Sequence, residues 1–94
     1  METKDTISDC SKHPKDIAGI TDMKVLAEMI GDLHYESLVD LFDFLRHKFN
    51  RDAVKDAEGG RYDLATSLHT AGMICSELFG ELENTWEISK PFMK

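Results

Sequence analysis

The sequence has little of what marks a secreted, membrane-bound or unfolded protein. It contains two cysteines and two prolines in 94 residues, too few cysteines for the disulfide framework of a small secreted domain. No uninterrupted apolar run approaches the roughly 20 residues that span a bilayer, and the first residues lack the basic and apolar segments of a signal peptide. These absences predict a cytoplasmic chain, without a membrane partner, in which Cys10 and Cys75 are free thiols.

The chain also lacks an excess of positive charge. Eighteen acidic residues against eleven Lys and Arg give a formal net charge of −7, which argues against direct binding of nucleic acid through its phosphates. A partner selected by charge should therefore be a basic protein. With 41% hydrophobic and 31% charged residues, the composition is typical of one small folded domain.

Apolar periodicity divides the chain into an arm and a helical domain. Residues 1–20 mix polar and apolar residues without a period, which predicts a mobile N-terminal arm. Residues 21–94 form the predicted domain. Within it, apolar spacing and capping residues predict three helices. Their expected ranges are about 22–30, 32–57 and 61–89.

Capping residues set the ends of these helices. Thr21 or Asp22 can cap the first helix, and Asp32 is the expected N-cap of the second. The pair Gly59-Gly60 should end the second helix and reverse the chain, because glycine accepts the left-handed conformation of a C-terminal cap. The predicted fold class is therefore all-α, a short N-terminal helix followed by a long antiparallel αα-hairpin.

Both hairpin helices carry an apolar stripe, and in the third helix its spacing of four, three, four, three and four is a heptad seam. The stripes contain Leu38, Phe42, Leu45 and Phe49 in the second helix and Leu64, Leu68, Ala71, Cys75, Leu78 and Leu82 in the third, with Ala65, Gly72, Phe79 and Trp86 one position beyond that seam. Two helices cover one face of each other only. We therefore expect a homodimer that closes a four-helix bundle, with a monomeric three-helix bundle as the alternative.

Acidic residues gather at the end of the predicted hairpin opposite its turn, here called the open end. No Lys or Arg occurs within residues 32–45 or 76–89. The acidic residues of these stretches are Asp32, Glu36, Asp40, Asp43, Glu77, Glu81, Glu83 and Glu87. Several of them form like-charge pairs at i,i+4 near a helix C-terminus, where cations are favoured.

Three interpretations of the open end remain. It can be a solvated face that keeps the protein soluble. It can pair with the turn end of a second copy, or it can bind a basic partner, such as a cationic protein or the groove of a nucleic-acid-binding protein. The turn end is slightly basic, and its Lys and Arg residues are Arg46, Lys48, Arg51, Lys55 and Arg61. Tyr35 and Trp86 fall at this end and are expected to pack with Leu82. If they are exposed instead, they are candidate anchors for a cationic partner.

Motifs for chemistry are missing. Asp43 and His47 have the spacing of a helical metal pair, but no Cys-x-x-Cys, His-Glu-x-x-His or Ca²⁺-binding loop accompanies them. Arg61 and His69 leave a small helical nuclease as a remote alternative, although eight residues separate them. No cofactor, metal or catalytic residue is therefore expected.

Together these patterns predict a non-enzymatic protein-interaction module, acidic and helical, which acts as an adaptor or inhibitor on a basic protein surface. Its size and charge are compatible with an accessory or anti-defence protein of a phage or mobile element, or with an immunity protein against a basic toxin. A self-assembling structural bundle without a charge-selected partner is the alternative.

Overall fold

The computed structural model describes residues 13–93 and contains no strand in that range. Its helices are α1 (Met23–Gly31), α2 (Tyr35–Glu58) and α3 (Tyr62–Ser89), followed by a single 3₁₀ turn at Lys90–Phe92. The prediction of an all-α chain with a helical hairpin is confirmed. Most of the predicted arm, residues 1–12, lies outside the described residues. The division into arm and domain thus stays a prediction.

The chain divides into two compact units with a boundary between Asp32 and Leu33. In the first unit, the Ile17 and Ile20 backbones exchange hydrogen bonds of 3.2 and 2.8 Å. Between them Ala18 and Gly19 have φ angles of 53° and 81°, the left-handed pair that a two-residue turn of type I′ requires. Asp22 then caps α1 as expected, because its Oδ1 accepts a hydrogen bond from the Lys24 amide at 2.9 Å.

The N-cap of α2 differs from the prediction. Asp32 has φ −87° and ψ −1°, and its amide donates to the Glu28 carbonyl at 3.0 Å, so Asp32 closes α1 instead of opening α2. An N-cap needs extended backbone, which His34 supplies with φ −50° and ψ 139°. The His34 Nδ1 accepts a hydrogen bond from the Glu36 amide at 3.1 Å. Helix α2 therefore begins at Tyr35.

The turn between α2 and α3 is a Schellman motif. The Arg61 amide donates to the Asp56 carbonyl at 2.8 Å and the Gly60 amide donates to the Ala57 carbonyl at 3.1 Å, the two bonds that define this cap. Gly60 has φ 83°, which a residue with a Cβ adopts only at a cost. The predicted glycine cap is confirmed at Gly60.

Helices α2 and α3 pack through small residues. Ala65 and Gly72 of α3 are buried, and so is Ala53 of α2. The leucines of the heptad seam turn partly away from this contact, since Leu64 and Leu78 remain 43% and 40% exposed. The stripe that faces α2 is thus the one next to the predicted seam, because small side chains let the two backbones approach closely.

This contact gives the hairpin only a thin core. Among the described residues the buried hydrophobic side chains are Leu38, Ala53 and Ala65, and no large side chain is fully buried. A scaffold of this size needs either a dense core or an added source of stability. The hairpin has apolar surface left for another contact.

The Lys48–Asp52 ion pair on α2 should make stability depend on pH. Lys48 Nζ lies 2.6 Å from Asp52 Oδ2, and this hydrogen bond lowers the pKa of the Asp52 carboxyl despite its partial desolvation. A lowered folded pKa stabilises the protein above the unfolded value of about 3.9, and the gain is lost as the pH falls through the folded pKa. We expect Asp52→Asn to lower the free energy of unfolding at pH 7 by about 0.5 kcal/mol.

Urea unfolding at pH 7 and at pH 2 checks this prediction. The parent and Asp52→Asn proteins should differ at pH 7 and converge at pH 2, where both side chains are neutral. Lys48→Gln is the matched control and should cost about as much at pH 7 as Asp52→Asn, because both changes remove one exposed i,i+4 pair of about 0.5 kcal/mol. An Asp52→Asn deficit that persists at pH 2 would contradict the ion-pair explanation.

Candidate interaction surfaces

The hairpin carries seven of the eight predicted carboxylates, whereas Asp32 belongs to the first unit. They come from the first half of α2 and the second half of α3, which the antiparallel hairpin places at its open end. Six are exposed and Asp43 is half-buried. Among the described residues, ion pairs to Lys or Arg involve two of the seven, Asp43 and Glu87. The seven residues are Glu36, Asp40, Asp43, Glu77, Glu81, Glu83 and Glu87.

Arg46 neutralises Asp43 and bridges the two helices. Its Nε and Nη2 each lie 2.8 Å from Asp43 Oδ1, and its Nη1 donates to Ser76 Oγ at 3.3 Å. The guanidinium carbon lies 4.6 Å from the centre of the Phe79 ring, a cation–π contact. Sequence position assigned Arg46 to the turn end. Its length and its contacts instead make it a half-buried clamp between α2 and α3.

Trp86 anchors the open end through His34 instead of Tyr35. The His34 and Trp86 rings meet edge to face with centroids 4.9 Å apart. On the same indole, Lys90 Nζ lies 5.0 Å from the ring centre, and this ammonium also pairs with Glu87 at 3.0 Å. Lys90 therefore brings a base to the acidic end, while Tyr35 remains 38% exposed. Histidine is an uncommon cap, which is why sequence inspection missed its double role.

A second surface is apolar and lies on α3. Leu64 and Leu78 are exposed, as is Ile74 with 59% of its surface accessible. Leu68, Cys75 and Leu82 of the predicted seam are half-buried between this surface and α2. Exposed apolar residues along one helix are typical of an interface with another chain.

Two residue pairs considered for metal binding and for RNA cleavage lie within the described residues. Within residues 13–93 no three His, Cys, Asp or Glu side chains converge closely enough to hold a metal ion. Asp43 Oδ1, which lies 3.8 Å from His47 Nε2, is bound by Arg46. Arg61 of the remote nuclease pair is bound to Asp56, with Nε 2.7 Å from Oδ1. No helix in the same range is long and apolar enough to cross a membrane. Comparison of the chain with protein-family models, curated proteins and solved structures finds no match.

Proposed function

We propose that this chain is a non-enzymatic protein-interaction module, an adaptor or inhibitor that acts as a homodimer and binds a basic protein surface through the open end of its hairpin. The observation that carries the proposal is the concentration of exposed carboxylates at the open end, in two stretches that contain no Lys or Arg. At the open end, five exposed carboxylates have no ion pair within the described residues. They are Glu36, Asp40, Glu77, Glu81 and Glu83.

The turn end differs, because Lys and Arg are interleaved with its acidic residues and two of those acids form ion pairs. Lys48 pairs with Asp52 and Arg61 with Asp56, at 2.6 and 2.7 Å. Unpaired carboxylates on one end of a rod repel phosphates and attract cations, and such patches steer association and select partners. A basic protein surface fits this end better than nucleic acid, a membrane or an apolar ligand.

Poly-L-lysine is a defined cationic probe for this proposal. Trp86 is the single tryptophan of the chain and lies at the open end, so its fluorescence reports binding there. We expect the double reversal Glu81→Lys with Glu83→Lys to weaken binding of the probe about tenfold, because attraction at two exposed sites becomes repulsion. Glu58→Lys with Asp63→Lys, at the turn end, is the control of equal net charge and should weaken it much less.

A self-assembling structural bundle without a basic partner is the second candidate. It is favoured by Arg46 and Lys90, which neutralise Asp43 and Glu87 from within the chain. In a bundle of that kind the remaining carboxylates serve solubility only. The poly-L-lysine titration distinguishes the two functions. If the open-end and turn-end reversals weaken binding of the probe equally, the open end is not a specific docking surface and the structural role is favoured.

A further inference from the structure

We propose that the apolar seam of α3 is the docking surface for a second copy of the chain, which lies antiparallel, with the two-fold axis crossing the seam at the level of residue 73. This inference rests on the homodimer in the proposed function and adds its surface, orientation and register. The occupant is a second α3.

The seam reads the same in both chain directions. Its members are Leu64, Leu68, Ala71, Cys75, Leu78 and Leu82. A two-fold axis at residue 73 places Leu64 opposite Leu82 of the second copy, Leu68 opposite Leu78, and Ala71 opposite Cys75. Each leucine then meets a leucine and the two small residues meet at the centre. Such self-complementarity is what an isologous interface requires.

The exposure of the seam fits this use. Helix α2 covers the neighbouring stripe at Ala65 and Gly72, so Leu64 and Leu78 remain available to a second chain. Ile74 lies one residue from the axis and is exposed as well, so it meets Ile74 of the second copy. Burial of this surface supplies the large apolar contact that the described hairpin lacks.

Charge selects the antiparallel orientation. A parallel pair would also match leucine with leucine, but it would bring two acidic open ends together. The contact of Arg46 with Ser76 shows how α2 is aligned along α3. With the axis at residue 73, that alignment brings Arg51 and Lys55 of one copy level with residues 75 and 79 of the other, within about one helical turn of Glu77 and Glu81. The antiparallel pair thus keeps the two acidic open ends apart, at opposite ends of the dimer, where they remain available to a basic partner.

Spin-label distances test the orientation. Thr66, Met73 and Glu87 are exposed and lie seven or fourteen residues apart on the outer side of α3, away from the seam. Each is changed singly to cysteine in a Cys10→Ala, Cys75→Ala background, labelled and measured by pulsed electron resonance after the molar mass has been determined. In an antiparallel dimer the axial separation of like labels is about 0 Å at residue 73, about 21 Å at 66 and about 42 Å at 87.

We therefore expect the label distance to increase from Met73 to Thr66 to Glu87. If the distance between like labels is the same at all three positions in a protein of dimeric mass, the antiparallel register is wrong, but the homodimer is still supported. A monomeric mass of the unlabelled parent protein would overturn both. Cys75→Ala removes volume at the centre of the proposed interface and can weaken the dimer by itself. The measurement is therefore repeated in a Cys10→Ala, Cys75→Val background, where valine fills that space, and the same order of distances is expected.

Discussion

Replacing Gly72 with leucine is expected to lower the free energy of unfolding by about 3 kcal/mol, because the larger side chain forces α2 and α3 apart. A Cβ at this position would meet Asn50 Oδ1, and would lie 3.2 Å from Asn50 Cγ and 3.5 Å from the Arg46 carbonyl. The first two atoms can move by rotation of the Asn50 side chain. The Arg46 carbonyl is backbone, so the further atoms of leucine can be accommodated only by displacing the helix.

Gly80 on the same helix provides the matched control. A Cβ built at Gly80 meets nothing within 4 Å, so Gly80→Leu should stabilise the protein by up to about 1 kcal/mol through helix propensity alone. Gly72→Ala should be nearly neutral, since the gain in propensity offsets the movement of Asn50. Urea unfolding followed by circular dichroism measures all three. Equal stability of the two leucine variants would show that α2 and α3 do not approach each other at Gly72.

Changing Leu78 to glutamate is expected to convert the homodimer to monomers. In the antiparallel register the dimer contains two Leu78–Leu68 layers, so the substitution removes two leucine contacts and places two carboxylates in an apolar interface. Leu78 is 40% exposed within the chain, so burial of the rest of each side chain contributes about 1 kcal/mol, and each unpaired carboxylate in the interface costs about 1–3 kcal/mol more. A total loss of at least about 3 kcal/mol weakens dimerisation more than about 100-fold. Sedimentation velocity across a range of concentrations measures the dissociation constant.

Ile88→Glu is the control for this prediction. Ile88 is 61% exposed and thus more exposed than Leu78, but it lies beyond the stretch in which the two copies of α3 overlap. The change should leave the dissociation constant within a few-fold of the parent value. If Ile88→Glu dissociates the dimer as strongly as Leu78→Glu, the seam is not the interface and general exposure of apolar surface explains the association.

Short capping and turn patterns in the sequence predicted most of the fold. Asp22 is a common capping residue and Gly59-Gly60 a common helix stop, so the end of α2 and the start of α1 follow from short sequence patterns. The start of α2 did not, because Asp32 is the stronger cap by type, yet its backbone stays helical at the end of α1. The choice between Asp32 and His34 depends on backbone conformation, which residue type alone does not determine.

The sequence pattern did not predict which face of α3 packs against α2. Two adjacent heptad stripes are visible, one rich in leucine and one containing Ala65 and Gly72, but spacing alone does not say which stripe faces which neighbour. Close approach of α2 selects the small residues. Arg46 was misplaced for a related reason, since counting along the chain ignores the length of its side chain and its reach to Ser76 and Phe79.

The molar mass of the unmodified chain in solution, measured by sedimentation equilibrium at moderate salt, tests most directly whether the hairpin completes its core with a second copy. We expect twice the chain mass of 10.7 kDa, and we expect the dimer to persist, with some loosening, when high salt screens the charges at its two ends. A mass of one chain at concentrations well above micromolar would contradict the homodimer and the docking surface on α3.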